Sequence, residues 1–174
     1  MAGPERIIIP TRTAEFDAVR DLAWAYRDYL LDLSEADAEI VRAFYPVDKY
    51  RTVLDQIETD HAPPKGQTRL AYLGDMAVGC GMVQTLPDGS AEIKRLYVTD
   101  AARGSGLGRR LCETLIEDCR AMGFPRILLD TSRSLDAAQR LYKSLGFKSR
   151  EPYQPIPDIA KPFVLFYEMH LTAR

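Results

Sequence analysis

The sequence predicts a mixed α/β fold, and three observations carry that prediction. Three strand-like segments separated by turn residues follow one another in the middle of the chain. A glycine-rich loop, an amphipathic segment and a short apolar strand come next, and a second amphipathic segment and a last strand close the chain. This order predicts one mixed sheet, mostly antiparallel, with helices on its faces and a right-handed parallel crossover. The length of 174 residues fits a single domain, 1–174.

The first third of the chain predicts a short strand followed by helices. Ile7–Ile9 is the strand, and Thr11 or Thr13 is placed to cap a helix with apolar residues at helical spacing. A second helical region follows and is interrupted near Pro46. The proline and glycine content of Asp60–Gln67 predicts a loop.

The middle of the chain predicts an antiparallel meander. The segments TRLAYL and MAVGCGMVQTL flank Gly74 and Asp75, a short turn that is typical of a hairpin. The turn Pro87–Ser90 then leads into AEIKRLYV, the third strand.

The second half predicts a helix, a strand, a helix and a strand. Apolar residues recur at helical spacing from Leu107, and Gly123 is placed to cap the C-terminus of this helix. The nearly all-apolar RILLD, Arg126–Asp130, is typical of a strand buried on both faces. Ser134 is placed to cap the next helix, and Pro162–Leu171 is the last strand.

Composition excludes several classes of protein. The 46% hydrophobic residues exclude disorder, and a net charge of −2 with no basic block argues against nucleic-acid binding. No apolar run approaches the roughly 18 residues of a membrane span, so we expect a cytoplasmic protein without a membrane partner. Cys112 and Cys119 fall on an apolar helix face and indicate core residues. His61 and His170 are interpreted as ordinary surface or strand residues, and no metal site is expected.

A glycine cluster lies between the third strand and the first of the late helices. Gly104, Gly106 and Gly108 leave the backbone bare where a helix begins, and a helix N-terminus with free N–H groups attracts anions. Arg103 and Arg109 add positive charge on either side. The pattern fits a phosphate or pyrophosphate, and it equally fits a tight strand-to-helix turn with surface arginines.

The spacing does not fit the two common nucleotide motifs. A P-loop needs Gly-Lys-Ser/Thr after four intervening residues, whereas Gly108 is followed by two arginines. A dinucleotide fingerprint needs G-x-G-x-x-G in an early strand–helix–strand unit, whereas this cluster follows a meander and reads G-x-G-x-G.

Two segments together resemble a known family. LYVTDAARGSGLGRRLCETL is similar to the acetyl-CoA-binding motif of the GNAT family of N-acetyltransferases, in which Arg103, Gly106 and Gly108 fill the pattern Arg/Gln-x-x-Gly-x-Gly/Ala. About forty residues later, AAQRLYKSLGF resembles the second signature of the family, Leu-Tyr-x-x-x-Gly-Phe. The resemblance implies the acyl-CoA N-acyltransferase fold, in which the two central parallel strands splay apart.

The resemblance also implies where acetyl-CoA, the co-substrate, would bind. The pantetheine arm would lie along the backbone of the third meander strand, and loop N–H groups would hold the pyrophosphate. The implied residues are Leu96, Tyr97, Val98, Arg103, Gly104, Ser105, Gly106, Leu107, Gly108 and Arg109. Relatives often carry an asparagine seven residues before the signature tyrosine; Leu135 occupies that position, so one side-chain contact is missing.

Three side chains are candidates for the chemistry. Tyr142 matches the family tyrosine near the cofactor sulfur, which implies a general acid; the alternative is a tyrosine that only packs a helix face. Glu92 is the first candidate for the base, because alternation places it on the strand face of Leu96 and Val98. Asp130, at the end of RILLD, is the second candidate; the alternative for both is a strand-end charge that meets solvent or an arginine.

The expected function is acetyl transfer from acetyl-CoA to a primary amine by direct attack in a ternary complex. The cofactor core would span about 68–150 and the acceptor-side helices about 13–60, with a small amine or a peptide lysine as acceptor. The aromatic residues that are candidates for the acceptor pocket are Tyr26, Tyr29, Phe44, Tyr45, Tyr50 and Tyr153. One alternative is an acyl-CoA sensor or interaction module without turnover, and another is a nucleotide-binding protein. Homodimers are common in the family.

Overall fold

A seven-stranded sheet organises the protein in the computed structural model, which describes residues 3–172. The strands are β1 (Glu5–Ile8), β2 (Gly66–Leu73), β3 (Met76–Thr85), β4 (Ala91–Val98), β5 (Arg126–Ser132), β6 (Lys148–Arg150) and β7 (Val164–His170). Their order is β1-β2-β3-β4-β5-β7-β6, and every neighbouring pair is antiparallel except β4 and β5. The predicted mixed, mostly antiparallel sheet is confirmed.

Helices cover both faces of this sheet. They are α1 (Thr13–Leu31), α2 (Glu35–Phe44), α3 (Val47–Asp55), α4 (Ile57–Asp60), α5 (Leu107–Ala121) and α6 (Asp136–Ser144), with a short 3-10 turn at Asp100–Ala102. One apolar cluster joins α1, α3 and α4 to β2 and β3 through residues such as Val19, Leu54 and Met82. A second joins α5 and α6 to the opposite face through residues such as Leu115 and Ile127.

Several elements begin and end where the sequence predicted. The Gly74 turn connects β2 to β3, and Pro46 is the residue that precedes α3. The apolar stripe of α5 is buried, including Cys112 and Cys119, and Gly123 follows the helix with a φ of +79°. The predicted core role of both cysteines is confirmed.

Two predicted helix caps are wrong. Neither Thr11 nor Thr13 caps α1; instead the Glu15 carboxylate, three residues into the helix, accepts hydrogen bonds from the N–H groups of Thr11 and Arg12 at 2.8 and 3.1 Å. Ser134 does not cap α6, because its hydroxyl donates to Asp37 on α2. In α1 the N-cap position is occupied by Arg12, and at α6 the charged Asp37 carboxylate is a strong acceptor that engages the Ser134 hydroxyl.

Two further details differ from the sequence interpretation. His61 is buried at 3% exposure with Nδ1 3.1 Å from the Val83 carbonyl oxygen, so its assignment as an ordinary surface residue is wrong. Burial lowers the pKa of His61 below its usual value. The three-residue strand β6 was not predicted, because Lys148–Arg150 has no apolar alternation and pairs only at the sheet edge with β7.

Among residues 3–172, no helix has the length and apolar composition that crossing a membrane requires.

Gly66 provides a test of the β2–β3 packing. A Cβ atom at this position would lie 1.9 Å from the Val83 carbonyl oxygen, so the paired backbones must move apart. We expect Gly66→Ala to lower the free energy of unfolding by about 1–3 kcal/mol in urea titrations. The control is Gly108→Ala, at a position within α5. Its added Cβ would lie 3.6 Å from Val98 Cγ2, an ordinary van der Waals distance, so this variant should lose no stability. Equal stability of the two variants would contradict this packing.

Candidate active site

The two parallel strands β4 and β5 separate soon after they begin. Their register couples Ala91 with Ile127 and Glu92 with Leu128, and no pair follows, whereas β5 pairs with β7 along its whole length. The backbone of β4 toward Val98 therefore lacks a strand partner on the β5 side. This is the splayed pair that the resemblance implied.

A bulge in β4 accompanies the separation. The register with β3 passes from Met82–Lys94 to Cys80–Tyr97, so β4 carries one extra residue. Arg95 absorbs the irregularity with a φ of +51°, a left-handed conformation that costs a non-glycine residue free energy. Its guanidinium lies 5.4 Å from the centre of the Tyr50 ring.

The bulge changes which side chains share a face of β4. Leu96 packs with Ile93 in the cluster beneath α5, although strict alternation would place these residues on opposite faces. Glu92 lies on the other face, where it contacts Gln84 and Tyr153. The expectation that Glu92 shares a face with Leu96 and Val98 is therefore wrong, because the extra residue at Arg95 reverses the alternation.

The glycine loop presents free N–H groups at the start of α5. Gly104 and Gly106 have φ values of +79° and +84°, and Gly106 immediately precedes the helix. Among the described residues, the amide groups of Gly106, Gly108 and Arg109 donate no hydrogen bond to the protein. Three free donors at the positive end of a 15-residue helix suit an anion, which favours the phosphate interpretation over a mere turn.

The arginines around this loop are engaged with other side chains. Arg103 forms an ion pair with Asp100, and its guanidinium lies 4.3 Å from the centre of the Tyr29 ring. Arg109 donates to the Ser144 hydroxyl at 2.5 Å, and Arg110 pairs with Glu5. The loop therefore offers an anion mainly its backbone.

A cleft of about 480 Å³ lies between the end of β4, the start of α5 and α6. Five of the residues implied for acetyl-CoA line it: Leu96, Tyr97, Val98, Arg103 and Gly108. The residues from Gly104 to Leu107 lie in the chain between two lining residues, Arg103 and Gly108, and Arg109 follows Gly108. Leu135 also lines the cleft, so an apolar side chain occupies the position of the missing asparagine.

Tyr142 lies where this cleft meets a smaller cavity in the gap between β4 and β5. It lines both spaces, together with Tyr26 and Leu96. The ring of Tyr142 packs edge-on against Phe147 and at a tilt against Tyr167, with ring centres 5.8 and 6.1 Å away. Burial raises the pKa of Tyr142 well above its ordinary value, so the hydroxyl is protonated and can donate.

Four polar side chains meet on the acceptor side of the gap, and we call them the carboxylate cluster: Glu92, Lys94, Asp130 and Tyr153. The Tyr153 hydroxyl donates to Glu92 Oε1 at 2.6 Å and lies 3.5 Å from Asp130 Oδ2. Lys94 Nζ lies 3.6 Å from Glu92 Oε1 and 3.7 Å from Asp130 Oδ2. Tyr153 and Lys94 thus each lie close to both candidate bases, Glu92 and Asp130.

Electrostatics keep this cluster in a defined protonation state. Burial alone would lower the pKa of Lys94, but the charge of Asp130, with Tyr45 and Glu92, raises it above its usual value. Burial raises the pKa of Tyr153, and Asp130 and Glu92 raise it further. Lys94 is therefore a cation and Tyr153 a neutral donor at neutral pH.

The two carboxylates differ in accessibility. Glu92 is 1% exposed, and its oxygens accept from Tyr153 and from the Gln84 amide at 2.5 Å. The Asp130 side chain is 26% exposed, and Asp130 lines three cavities on this side of the sheet. Asp130 is the carboxylate that a molecule in these cavities reaches first.

A second buried carboxylate connects α2 to the loop before α6. Asp37 is 4% exposed and accepts from the hydroxyls of Ser34, Ser132 and Ser134 at 2.6, 2.5 and 2.7 Å. Burial opposes its ionisation, but these three hydrogen bonds outweigh burial and lower the pKa of Asp37. Because Ser134 lines the 480 Å³ cleft, Asp37 connects α2 to the wall of that cleft.

The sequence interpretation missed Lys94, Arg95 and Asp37. Lys94 carries a usable signal, since it lies two residues from Glu92 on a predicted strand. The partners of Asp37 in β5 and its following loop are about a hundred residues away and leave no sequence signal. Tyr153, proposed only as a pocket aromatic, proves to be the hydrogen-bond donor to Glu92.

Besides Tyr153, which belongs to the carboxylate cluster, the five other aromatic residues proposed for the acceptor pocket separate into three groups. Tyr26, Phe44 and Tyr45 line the small cavities next to Asp130. Tyr29 lines the 480 Å³ cleft beneath Arg103. Tyr50 is a buried core residue whose hydroxyl donates to the Ala23 carbonyl oxygen at 2.7 Å.

Comparisons with known proteins identify relatives of the chain. A family model described as the Acetyltransferase (GNAT) family matches residues 20–147. The chain is 33% identical over 141 residues to an "IAA acetyltransferase" of Azospirillum brasilense, which covers 76% of this chain and 90% of that protein. The family match spans the glycine loop and Tyr142.

Solved structures share the fold. A GNAT-family acetyltransferase from Staphylococcus aureus Mu50 superposes with a TM-score of 0.73 at 20% identity, covering 97% of this chain and 100% of that one. The acetyltransferase yncA from Salmonella typhimurium, solved with its cofactor acetyl-CoA, has a TM-score of 0.70 at 19% identity and covers 98% and 95% of the two chains. At these identities the likeness shows the fold alone.

The left-handed glycine before α5 can be tested against a glycine elsewhere with the same conformation. We expect Gly106→Ala to raise the KM for acetyl-CoA roughly tenfold or more, because displacing one charge-assisted hydrogen bond costs about 1.5 kcal/mol. Gly89→Ala, at a φ of +81° in the β3–β4 turn, imposes similar backbone strain away from the loop. The KM of the Gly89→Ala variant for acetyl-CoA should stay at the wild-type value. Equal KM values for both variants would argue against anion binding by the loop.

Proposed function

Because this chain belongs to the GNAT acetyltransferase family and is therefore an acyltransferase, we propose that it transfers the acetyl group of acetyl-CoA to a primary amine by direct attack in a ternary complex. The observation that carries this proposal is the position of Tyr142. Tyr142 lines the 480 Å³ cleft and also the gap between β4 and β5, which Asp130 lines as well. A thioester and an amine brought from opposite sides would therefore meet beside the Tyr142 hydroxyl.

The donor side matches the chemistry of coenzyme A. The free N–H groups of Gly106, Gly108 and Arg109 suit a pyrophosphate, which carries negative charge. The unpaired backbone of β4 suits the amide-bearing pantetheine arm, because buried backbone groups need hydrogen-bond partners. An N–H group near Leu96–Val98 would then stabilise the developing charge on the thioester carbonyl oxygen.

The reaction requires two proton movements. The amine enters as an ammonium ion and must give up a proton before its lone pair attacks the thioester carbonyl carbon. As the C–N bond forms and the C–S bond breaks, the sulfur leaves as a thiolate. We assign the proton that this thiolate receives to the Tyr142 hydroxyl, and the proton lost by the amine to the carboxylate cluster.

Burial changes the proton affinity of both groups in the proton transfer from Tyr142 to the thiolate. It raises the pKa of Tyr142, which by itself makes the hydroxyl a weaker acid. The same low-dielectric surroundings disfavour the thiolate and raise its proton affinity too. The transfer therefore stays feasible because desolvation shifts the donor and the acceptor in the same direction.

Within the carboxylate cluster we assign different roles to the two candidate bases. Asp130 lines the cavities and would contact the amine and receive its proton. Glu92 is nearly inaccessible and would act as a positioning residue that holds Tyr153 and Lys94. This reverses the order of the two residues that strand alternation suggested.

A Tyr142→Phe variant tests the general acid. We expect turnover to fall by about 10²-fold or more, because the thiolate loses its proton donor, while the KM for acetyl-CoA changes little. The measurement is CoA release with saturating amine. The control is Tyr167→Phe, which removes a hydroxyl from the same aromatic cluster without lining either space. Full activity of Tyr142→Phe would exclude the role, and acetyl-CoA binding without turnover in the wild type would instead favour a sensor module.

Isosteric amides distinguish the two carboxylates. We expect Asp130→Asn to lower kcat/KM for the amine by about 10²-fold, since proton acceptance is removed. Glu92→Gln keeps an acceptor oxygen for Tyr153. We therefore expect a smaller decrease of kcat/KM in this variant, caused mostly by a lower kcat. Steady-state kinetics with varied amine provide the comparison. A larger loss for Glu92→Gln than for Asp130→Asn would return the base assignment to Glu92.

A further inference from the structure

The cavities beyond Asp130 indicate the chemical class of the acceptor, provided that the proposed acetyl transfer holds. Two small cavities adjoin Asp130 and Tyr45 on the side of α2. We propose that they bind the body of a small primary monoamine that is aromatic or branched and apolar, with its ammonium group on Asp130.

The walls of these cavities are predominantly apolar. Ile40 and Val164 line both; Phe44, Ile156 and Phe166 line the first, and Phe163 lines the second. These side chains come from α2, from β7 and from the loop before β7, so three separate parts of the chain enclose one apolar space. The other lining residues include Gln154 in the first cavity and Asp37, Thr131 and Ser132 in the second, and Ser132 already donates to Asp37. An acceptor with several polar groups would therefore lose more hydration than these few partners replace.

The volumes limit the size of the acceptor. The cavities measure 60 and 70 Å³. A water molecule needs about 10–15 Å³ of such space, so each cavity holds about four to seven non-hydrogen atoms. A six-membered ring or a branched chain with a short link to the nitrogen fits this limit, whereas a sugar-sized acceptor exceeds it.

The net charge of the carboxylate cluster favours an acceptor with a single ammonium group. Glu92 and Asp130 carry two formal negative charges and Lys94 one positive charge, which leaves one negative charge for the acceptor. The remaining carboxylate of these walls is Asp37, which is 4% exposed and already accepts three hydroxyl hydrogen bonds. A diamine would therefore place its second ammonium group among uncharged side chains, without a free carboxylate to pair with.

Charge also disfavours amino acids as acceptors. The residues that line the two cavities include no lysine or arginine. Lys94, in the adjacent gap, is already shared between two carboxylates. An α-carboxylate beside the reacting amine would approach Asp130 without a cation to pair with, which like-charge repulsion opposes.

A matched set of amines tests these selections in the wild-type enzyme. The probes are 2-phenylethylamine, phenylalanine, 1,4-diaminobutane, methylamine and a capped lysine peptide. Phenylalanine differs from 2-phenylethylamine only by its carboxylate. We expect kcat/KM to be highest for 2-phenylethylamine, by at least about tenfold over each other probe. A kcat/KM for the diamine, phenylalanine or the lysine peptide that equals or exceeds it would overturn the inference.

A cavity-filling variant tests whether the apolar body occupies this space. Val164 lines both cavities, so Val164→Phe should lower kcat/KM for 2-phenylethylamine at least about tenfold more than for methylamine. The control is Met76→Phe, at an exposed position in β3, which should change neither value. An equal loss for both amines in Val164→Phe would show that the body lies elsewhere.

Binding separates this inference from the proposed function. Saturation-transfer NMR on the protein with CoA should detect bound 2-phenylethylamine, and the signal should weaken in Asp130→Asn and in Val164→Phe. Binding without turnover of any amine would support the binding site while overturning the acetyl-transfer proposal. Absence of binding, or binding unaffected by both substitutions, would overturn the inference.

Discussion

The separation of β4 from β5 is the feature on which the rest of the site depends. A buried strand edge normally pairs with its neighbour, because unpaired N–H and C=O groups are costly. Here pairing stops after Glu92, and a bulge with Arg95 in a left-handed conformation reorients the rest of β4. A cleft lies where the strand partner would be, and under the proposed function a ligand with amide groups would supply the missing hydrogen bonds. Local strain is thus retained where it creates a binding surface.

The separation also connects two chemically different faces of the sheet. On the α5 side the gap opens toward free helix N–H groups, which favour an anionic ligand. On the α1 and α2 side it opens toward Asp130 and the carboxylate cluster, which favours a cation. Under the proposed function, an anionic donor and a cationic acceptor would be attracted to opposite sides of one opening, which Tyr142 lines.

Much of the fold is predictable from the sequence because the information is local. The period of apolar residues predicts α5 and the meander strands, and glycines and prolines mark the turns between them. The caps of α1 (Thr11 or Thr13) and α6 (Ser134) were predicted wrongly, since several donors and acceptors compete there and only their final positions decide which pair forms. The edge strand β6 was missed for a related reason: its pairing with β7 is nearly all that defines it.

The glycine loop, the tyrosine of α6 and the acyltransferase family are identifiable from the sequence. These features are readable because each lies in one short contiguous segment with a fixed spacing. The arrangement of side chains on the α1 and α2 side of the gap is visible only in the folded protein. The fold brought Asp130 of β5, Lys94 of β4 and Tyr153 of a distant loop together, and it reversed the face of Glu92 through one extra residue in β4. Long-range contacts and strand register, which leave no periodic trace in the chain, carry that information.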